Sequence, residues 1–162
     1  MAHGRDRKLL EAGTRAPDFA LKHLDGEPTT LREIVAQGPA LLAFFKVNCP
    51  VCQMAFPFLE RIHAASTLPI YAISQDDAVD THDFHREFGI TIPTLLDTEE
   101  SGFHVSNDYG VSHVPTLYLV NTDGKIARAI ESWSKPDIES LGALAGVEVI
   151  RPGENVPVFR PG

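Results

Sequence analysis

Cys49 and Cys52 are the only two cysteines in a chain of 162 residues, and they stand in the run Asn48-Cys49-Pro50-Val51-Cys52. A C-x-x-C pair has two common uses: half of a structural zinc site, or a redox dithiol that opens and closes a disulfide. A structural zinc site takes four protein ligands, and no second cysteine pair is present to complete one. The seven histidines are scattered, and none forms a paired histidine motif with cysteine-rich flanks. A permanent bridge between residues so close would restrain little unfolded-chain entropy. The pair therefore reads as a redox dithiol.

The elements around the pair give each sulfur a role. Ala40 to Val47 is a short, mostly apolar run, as a buried strand requires. Gln53 to Ala65 has helical spacing, with Met54, Phe58, Leu59 and Ile62 at three- and four-residue steps. The dithiol thus lies where a core strand ends and a helix begins. The first turn of a helix carries unpaired N–H groups and the positive end of the helix dipole. A thiolate there is stabilised: a free cysteine titrates at about 8.5, and helix N-terminal or C-x-x-C cysteines fall to roughly 3.5–7.5. Cys49 is expected at the cap, exposed and nucleophilic. Pro50 falls at the first helical position, where its missing N–H costs nothing. Cys52, one turn along, points inward and resolves a mixed disulfide.

Length and charge bound the rest. A chain of this size suits one domain with a good core. The net charge of −8 and the absence of a basic stripe argue against a nucleic-acid partner. No stretch approaches the roughly 18 apolar residues of a membrane span. Met1 to Gly13 is polar and charged, without the apolar region of a signal peptide. The expectation is a cytoplasmic protein as the sequence stands, or an exported one if a signal segment has been cut away. Residues 1–13 read as a flexible leader, 14–147 as the folded domain, and 148–162 as a Pro/Gly-rich C-terminal tail, loose or laid along the surface.

Along the domain, Phe19 to Leu24 reads as a strand, followed by a turn at Asp25-Gly26. A short helix opens at Thr30, with Glu33 three residues on as in a capping box. After the core strand and the redox helix come a strand at Pro69 to Ser74, a helix at Ala78 to Phe88 and a short strand at Thr94 to Leu96. A helix at Ser101 to Tyr109 closes on Gly110. Thr116 to Val120 and Lys125 to Ile130 form a hairpin, and Pro136 to Ala145 is the last helix. This order gives an α/β sandwich: parallel strands joined by crossover helices, then an antiparallel hairpin.

Several segments carry a family resemblance. Ala16-Pro17-Asp18-Phe19-Ala20-Leu21, Leu24-Asp25-Gly26, the apolar strand running into C-x-x-C, and Pro57 beyond it resemble the redoxin branch of the thioredoxin superfamily. That branch holds TlpA/ResA-like thiol-disulfide oxidoreductases and AhpC/TSA peroxiredoxins. Tyr109-Gly110-Val111 and Val114-Pro115-Thr116 resemble its YGV and VPT segments. The resemblance implies a thioredoxin-like three-layer sandwich with a mixed central sheet, extra N-terminal strands and an insertion before the Val-Pro-Thr loop. It implies that Cys49 and Cys52 are catalytic and that Pro115 is cis. It also implies that the Val114 backbone pairs with an extended substrate, a form of strand addition. The implied partners are a protein dithiol or disulfide and an upstream thiol reductant or oxidant, with no cofactor and no metal.

The chain departs from the family in two places. Ala43 stands where many thioredoxins carry a buried Asp, and Ala55 where ResA-like reductants carry a Glu. The residues that handle the proton of the second thiol are therefore missing from the motif. His113, two residues before Pro115, is a candidate to approach the dithiol, and Lys46 to add positive potential. A peroxiredoxin would carry P-x-x-x-[TS]-x-x-C; Leu42 and Lys46 stand at its Pro and Thr/Ser positions. Two rivals share the fold: a thiol peroxidase using Cys49, and a Sco-like copper chaperone using both cysteines and a histidine. Sco proteins place three residues between the cysteines, against the two found here.

Overall fold

The computed structural model describes residues 8–162. Its centre is strand β3 (Ala40–Phe45), every residue of which is buried. Alternation sends Leu41, Ala43 and Phe45 to one face of the sheet and Ala40, Leu42 and Phe44 to the other, as the two-residue period of a strand requires. Both faces are covered, which explains why the run is apolar throughout and does not alternate.

The other strands assemble around it. They are β1 (Ala20–His23), β2 (Pro28–Thr30), β4 (Ile70–Ser74), β5 (Thr94–Leu96), β6 (Thr116–Val120) and β7 (Ile126–Glu131). Together they form a seven-stranded sheet in the order β2-β1-β5-β4-β3-β6-β7. β3, β4 and β5 are parallel, while β6 and β7 run antiparallel to their neighbours. The sheet is mixed, and the two extra N-terminal strands add to it through β5.

Helices α2 (Pro50–Ala64), α3 (Ala78–Phe88) and α5 (Lys135–Ala145) cover the Phe45 face. The short helices α1 (Leu31–Ile34) and α4 (His104–Asp108) contribute to the core on the Phe44 face. The architecture is the expected thioredoxin-like three-layer sandwich. On one face Phe45, Phe56 and Phe84 stack with centroids 4.4–5.6 Å apart. On the other, Phe44, Tyr109 and Tyr118 meet at 5.4–6.2 Å. Aromatic pairs at such spacing add stability beyond their buried area.

The structure departs from the sequence reading in one element and adds detail over residues 8–13 and 148–162. The helix expected over 101–109 is broken: a 3-10 turn at Glu99–Ser101 is followed by Gly102 and Phe103, both at positive φ, before α4 begins. The cause is Asp97, fully buried, which accepts from the N–H of Val105 and Ser106 and so caps α4 from outside the helix. Of the leader expected over 1–13, residues 1–7 lie outside the described part. Within 8–13, Leu10 N–H donates to Tyr118 Oη (3.2 Å) and Gly13 N–H to Ile126 O (2.7 Å). Finally, residues 148–162 return along the molecule. Arg61 at the end of α2 forks onto both oxygens of Glu154 (2.7 and 2.8 Å). Strand β9 (Phe159–Arg160) then pairs with β8 (Trp133–Ser134), an antiparallel pair that carries no local sequence signature.

Candidate active site

Strand β3 stops at Phe45, and after three intervening residues the chain enters α2 through Cys49. Cys49 is the N-cap, in extended conformation (φ −88°, ψ 114°), with Pro50 in the first turn. Its Sγ accepts from the backbone N–H of Cys52 at 3.2 Å, so sulfur takes the part that a Ser or Asp oxygen plays at an ordinary helix start. The approach is braced from both sides. Gln53 Nε2 donates to Val47 O (2.9 Å), and Val47 N–H donates to Asp76 Oδ2 (2.8 Å).

The two thiols are free, and their surroundings differ sharply. Cys49 is half-buried, while Cys52 is 0% exposed and belongs to the core cluster that holds Ala43, Ala55 and Phe56. The Cys52 thiol donating to Cys49 is the largest influence holding Cys49 down to about 6. The N–H groups of Cys52 and Val51 and the charge of Lys46 act in the same direction, against partial burial. Cys52 is pushed up, first by burial, then by its bond to Cys49 and by the negative charges of Cys49 and Asp76. At neutral pH one sulfur is a thiolate and the other a thiol, as a nucleophile and a resolving group require.

The Val-Pro-Thr loop faces this pair. The Val114–Pro115 bond is cis. Val114 O lies 3.5 Å from Cys49 Sγ, and Pro115 is buried. Thr116 Oγ1 donates to His113 O (2.7 Å), and Ser132 N–H to Pro115 O (2.8 Å), so both flanks of the loop are held. All four residues singled out from the sequence, Cys49, Cys52, Val114 and Pro115, therefore meet at one place.

His113 does not join them in the way the sequence allowed. It is exposed and is not among the groups that shift either thiol. Among the described residues, no group of three or more His, Cys, Asp or Glu side chains is placed to hold a metal ion. Ala43 and Ala55 are buried beside Cys52 as small apolar core residues. The carboxylate that does act on Cys52 comes from Asp76, in the connection between β4 and α3. The sequence reading missed it because its link to the site is the long-range bond to Val47; the only local hint is a pair of acids, Asp76-Asp77, after an apolar strand.

Comparisons with known proteins agree with this geometry. The AhpC/TSA family model matches residues 12–129. Thiol-disulfide oxidoreductase ResA of Halalkalibacterium halodurans is 30% identical over 127 residues, covering 76% of this chain and 70% of that protein. ResA of Bacillus subtilis is 26% identical over 128 residues, covering 76% and 69%. The thioredoxin domain of a thiol-disulfide oxidoreductase from Bacteroides vulgatus superposes with a TM-score of 0.73 at 22% identity, over 83% of this chain and 97% of that one. With its dithiol capping a helix opposite a cis-proline loop, the chain belongs to the AhpC/TSA family, in the redoxin branch of the thioredoxin superfamily, and is an enzyme of the thiol-disulfide oxidoreductase class.

Proposed function

We propose that Cys49 and Cys52 exchange a disulfide with protein substrates bound along the Val114–Pro115 loop. The observation that carries this reading is the Cys49 sulfur itself. It caps α2 through the Cys52 N–H, and it lies 3.5 Å from the Val114 carbonyl. The nucleophile and a backbone edge suited to strand addition are thus adjacent.

The cycle follows from the unequal thiols. The Cys49 thiolate attacks one sulfur of a substrate disulfide; a mixed disulfide forms and the other substrate sulfur leaves as a thiolate. Cys52 then gives up its proton and attacks the Cys49 sulfur. The Cys49–Cys52 disulfide forms, the second substrate thiolate is released, and two electrons have passed to the substrate. An upstream dithiol reductant reverses the change, and an oxidising partner drives the same steps in the other direction. The slow point is deprotonation of the buried Cys52, because burial disfavours the charged form. Asp76 supplies the base that Ala43 and Ala55 lack; its carboxylate is anchored on Val47 N–H (2.8 Å) and its charge is felt at Cys52.

The test is trapping. Cys52→Ser should accumulate a mixed disulfide with a labelled protein substrate supplied in its disulfide form, and Cys49→Ser should abolish exchange. Exchange that survives Cys49→Ser would sink the reading. Rapid hydrogen peroxide consumption with no protein exchange would replace it with the peroxidase alternative.

A further inference from the structure

Residues 156–162 lie across the face of the molecule that the dithiol occupies. Trp133, fully buried, donates Nε1–H to Pro157 O (2.6 Å). Lys135 N–H donates to Val158 O (2.8 Å), and Trp133 pairs with Arg160 and Ser134 with Phe159. The segment then reaches Ser132, a buried residue at positive φ (66°). Ser132 joins two structures at once. Its N–H donates to Pro115 O (2.8 Å), and its Oγ accepts from Gly162 N–H (3.0 Å).

Gly162 ends up against the loop proposed to bind substrate. A Cβ placed on Gly162 would stand 2.1 Å from Val114 O and 3.4 Å from Pro115 N. That is room for a hydrogen and for no side chain, so the backbone at 162 sits directly on the Val114 carbonyl. The same oxygen faces Cys49 Sγ at 3.5 Å. An extended substrate pairing with Val114 needs the space that Gly162 fills. The covering is anchored at its start, where Val156 packs against the core and Pro157 O accepts from buried Trp133, and shallow beyond it: Val158 and Phe159 are 68% and 60% exposed, so little apolar burial opposes lifting residues 158–162.

We infer that residues 156–162 form a specificity-determining strap: they occupy the backbone edge beside Val114, so an extended protein substrate must displace them, whereas a small disulfide reaches Cys49 without doing so. This rests on the reading of Val114 as the docking edge and adds what competes for it.

The experiment measures exchange of the full chain with two probes, insulin and the small aromatic disulfide 5,5′-dithiobis(2-nitrobenzoate). Gly162→Val cannot fit against Val114, and Ser132→Ala removes the bond that holds Gly162. Each should raise the rate with insulin about fivefold, the factor that the net contribution of one hydrogen bond gives, and leave the small-disulfide rate unchanged. A second measurement does not depend on rates. In Cys52→Ser trapped with a peptide disulfide, amide hydrogen exchange at Lys135, Arg160 and Gly162 should accelerate relative to the free protein. Unchanged insulin rates in both variants, or unchanged protection in the trapped complex, would overturn the strap while leaving disulfide exchange intact. A wild-type chain that exchanges with neither probe would overturn the functional reading and the strap together.

Discussion

At the scale of single residues, the site rests on the inequality of two sulfurs three positions apart. Cys49 is held down to about 6 and Cys52 is pushed up. Alkylation of the reduced protein should label Cys49 with a pH midpoint near 6, while Cys52 stays unlabelled until the fold opens; peptide mapping after a timed iodoacetamide pulse measures both. Equal labelling would contradict the assignment. Asp76 offers a sharper test because its two possible effects have opposite signs. As a base, its loss slows the second step; as a mere negative charge, its loss eases ionisation of Cys52 and speeds it. Asp76→Asn keeps an oxygen for Val47 N–H, so the loop should stand. We expect resolution of the mixed disulfide near neutral pH to slow by about a hundredfold, within the range of general-base catalysis. The remaining rate should rise with hydroxide, and Asp76→Glu should restore part of it. Faster resolution in Asp76→Asn would assign Asp76 an electrostatic role only. Cys49, Cys52, Val114 and Pro115 were legible because they sit in two short motifs. Asp76 was not, because it reaches the site across 29 residues of sequence through one bond to a backbone amide.

At the scale of elements, β3 and α2 were readable for a plain reason: each shows an unbroken pattern, a buried run and a helical stripe, and their junction is the site. α3, β5 and β6 fall at the residues their patterns indicated. Pairs of two-residue strands offer no such pattern. β8 and β9 form because buried Trp133 needs an acceptor for its indole N–H and finds it at Pro157, 24 residues away. Likewise α4 starts where Asp97 caps it, not where helical propensity begins. The Val114–Pro115 loop is an element in the same sense, held at both flanks by hydrogen bonds from Thr116 and Ser132. Pro115→Ala should slow exchange with protein substrates more than with small disulfides, since a small reagent needs no strand pairing. Equal slowing of both would mean that the loop shapes the thiols and does not bind peptide.

At the scale of the whole molecule, the sulfur proposed to react is also the sulfur that caps α2. Catalysis therefore unfastens a piece of architecture at every turn. While Cys49 is a thiolate, the helix start is closed by an anion; once Cys49 is bonded to another sulfur, that charge is gone. A thermodynamic cycle ties the two facts together: whatever holds the thiolate in the folded protein stabilises the reduced form and makes the disulfide more oxidising. The potential should then lie above the roughly −270 mV of thioredoxin, as a glutathione titration can establish. The sign of the pH effect follows from the lowered value of Cys49. Unfolding takes up a proton wherever Cys49 is ionised in the fold and protonated in the unfolded chain, so stability rises with pH across that window. The reduced protein should gain stability from pH about 6 toward the free-thiol value of about 8.5, and lose it as pH falls through 6. Cys49→Ser should flatten that dependence, and a reduced protein whose Tm ignores pH over this range would count against it. The chain then carries a readable gauge of its own redox state: its melting temperature, which moves with every electron pair it accepts or gives away.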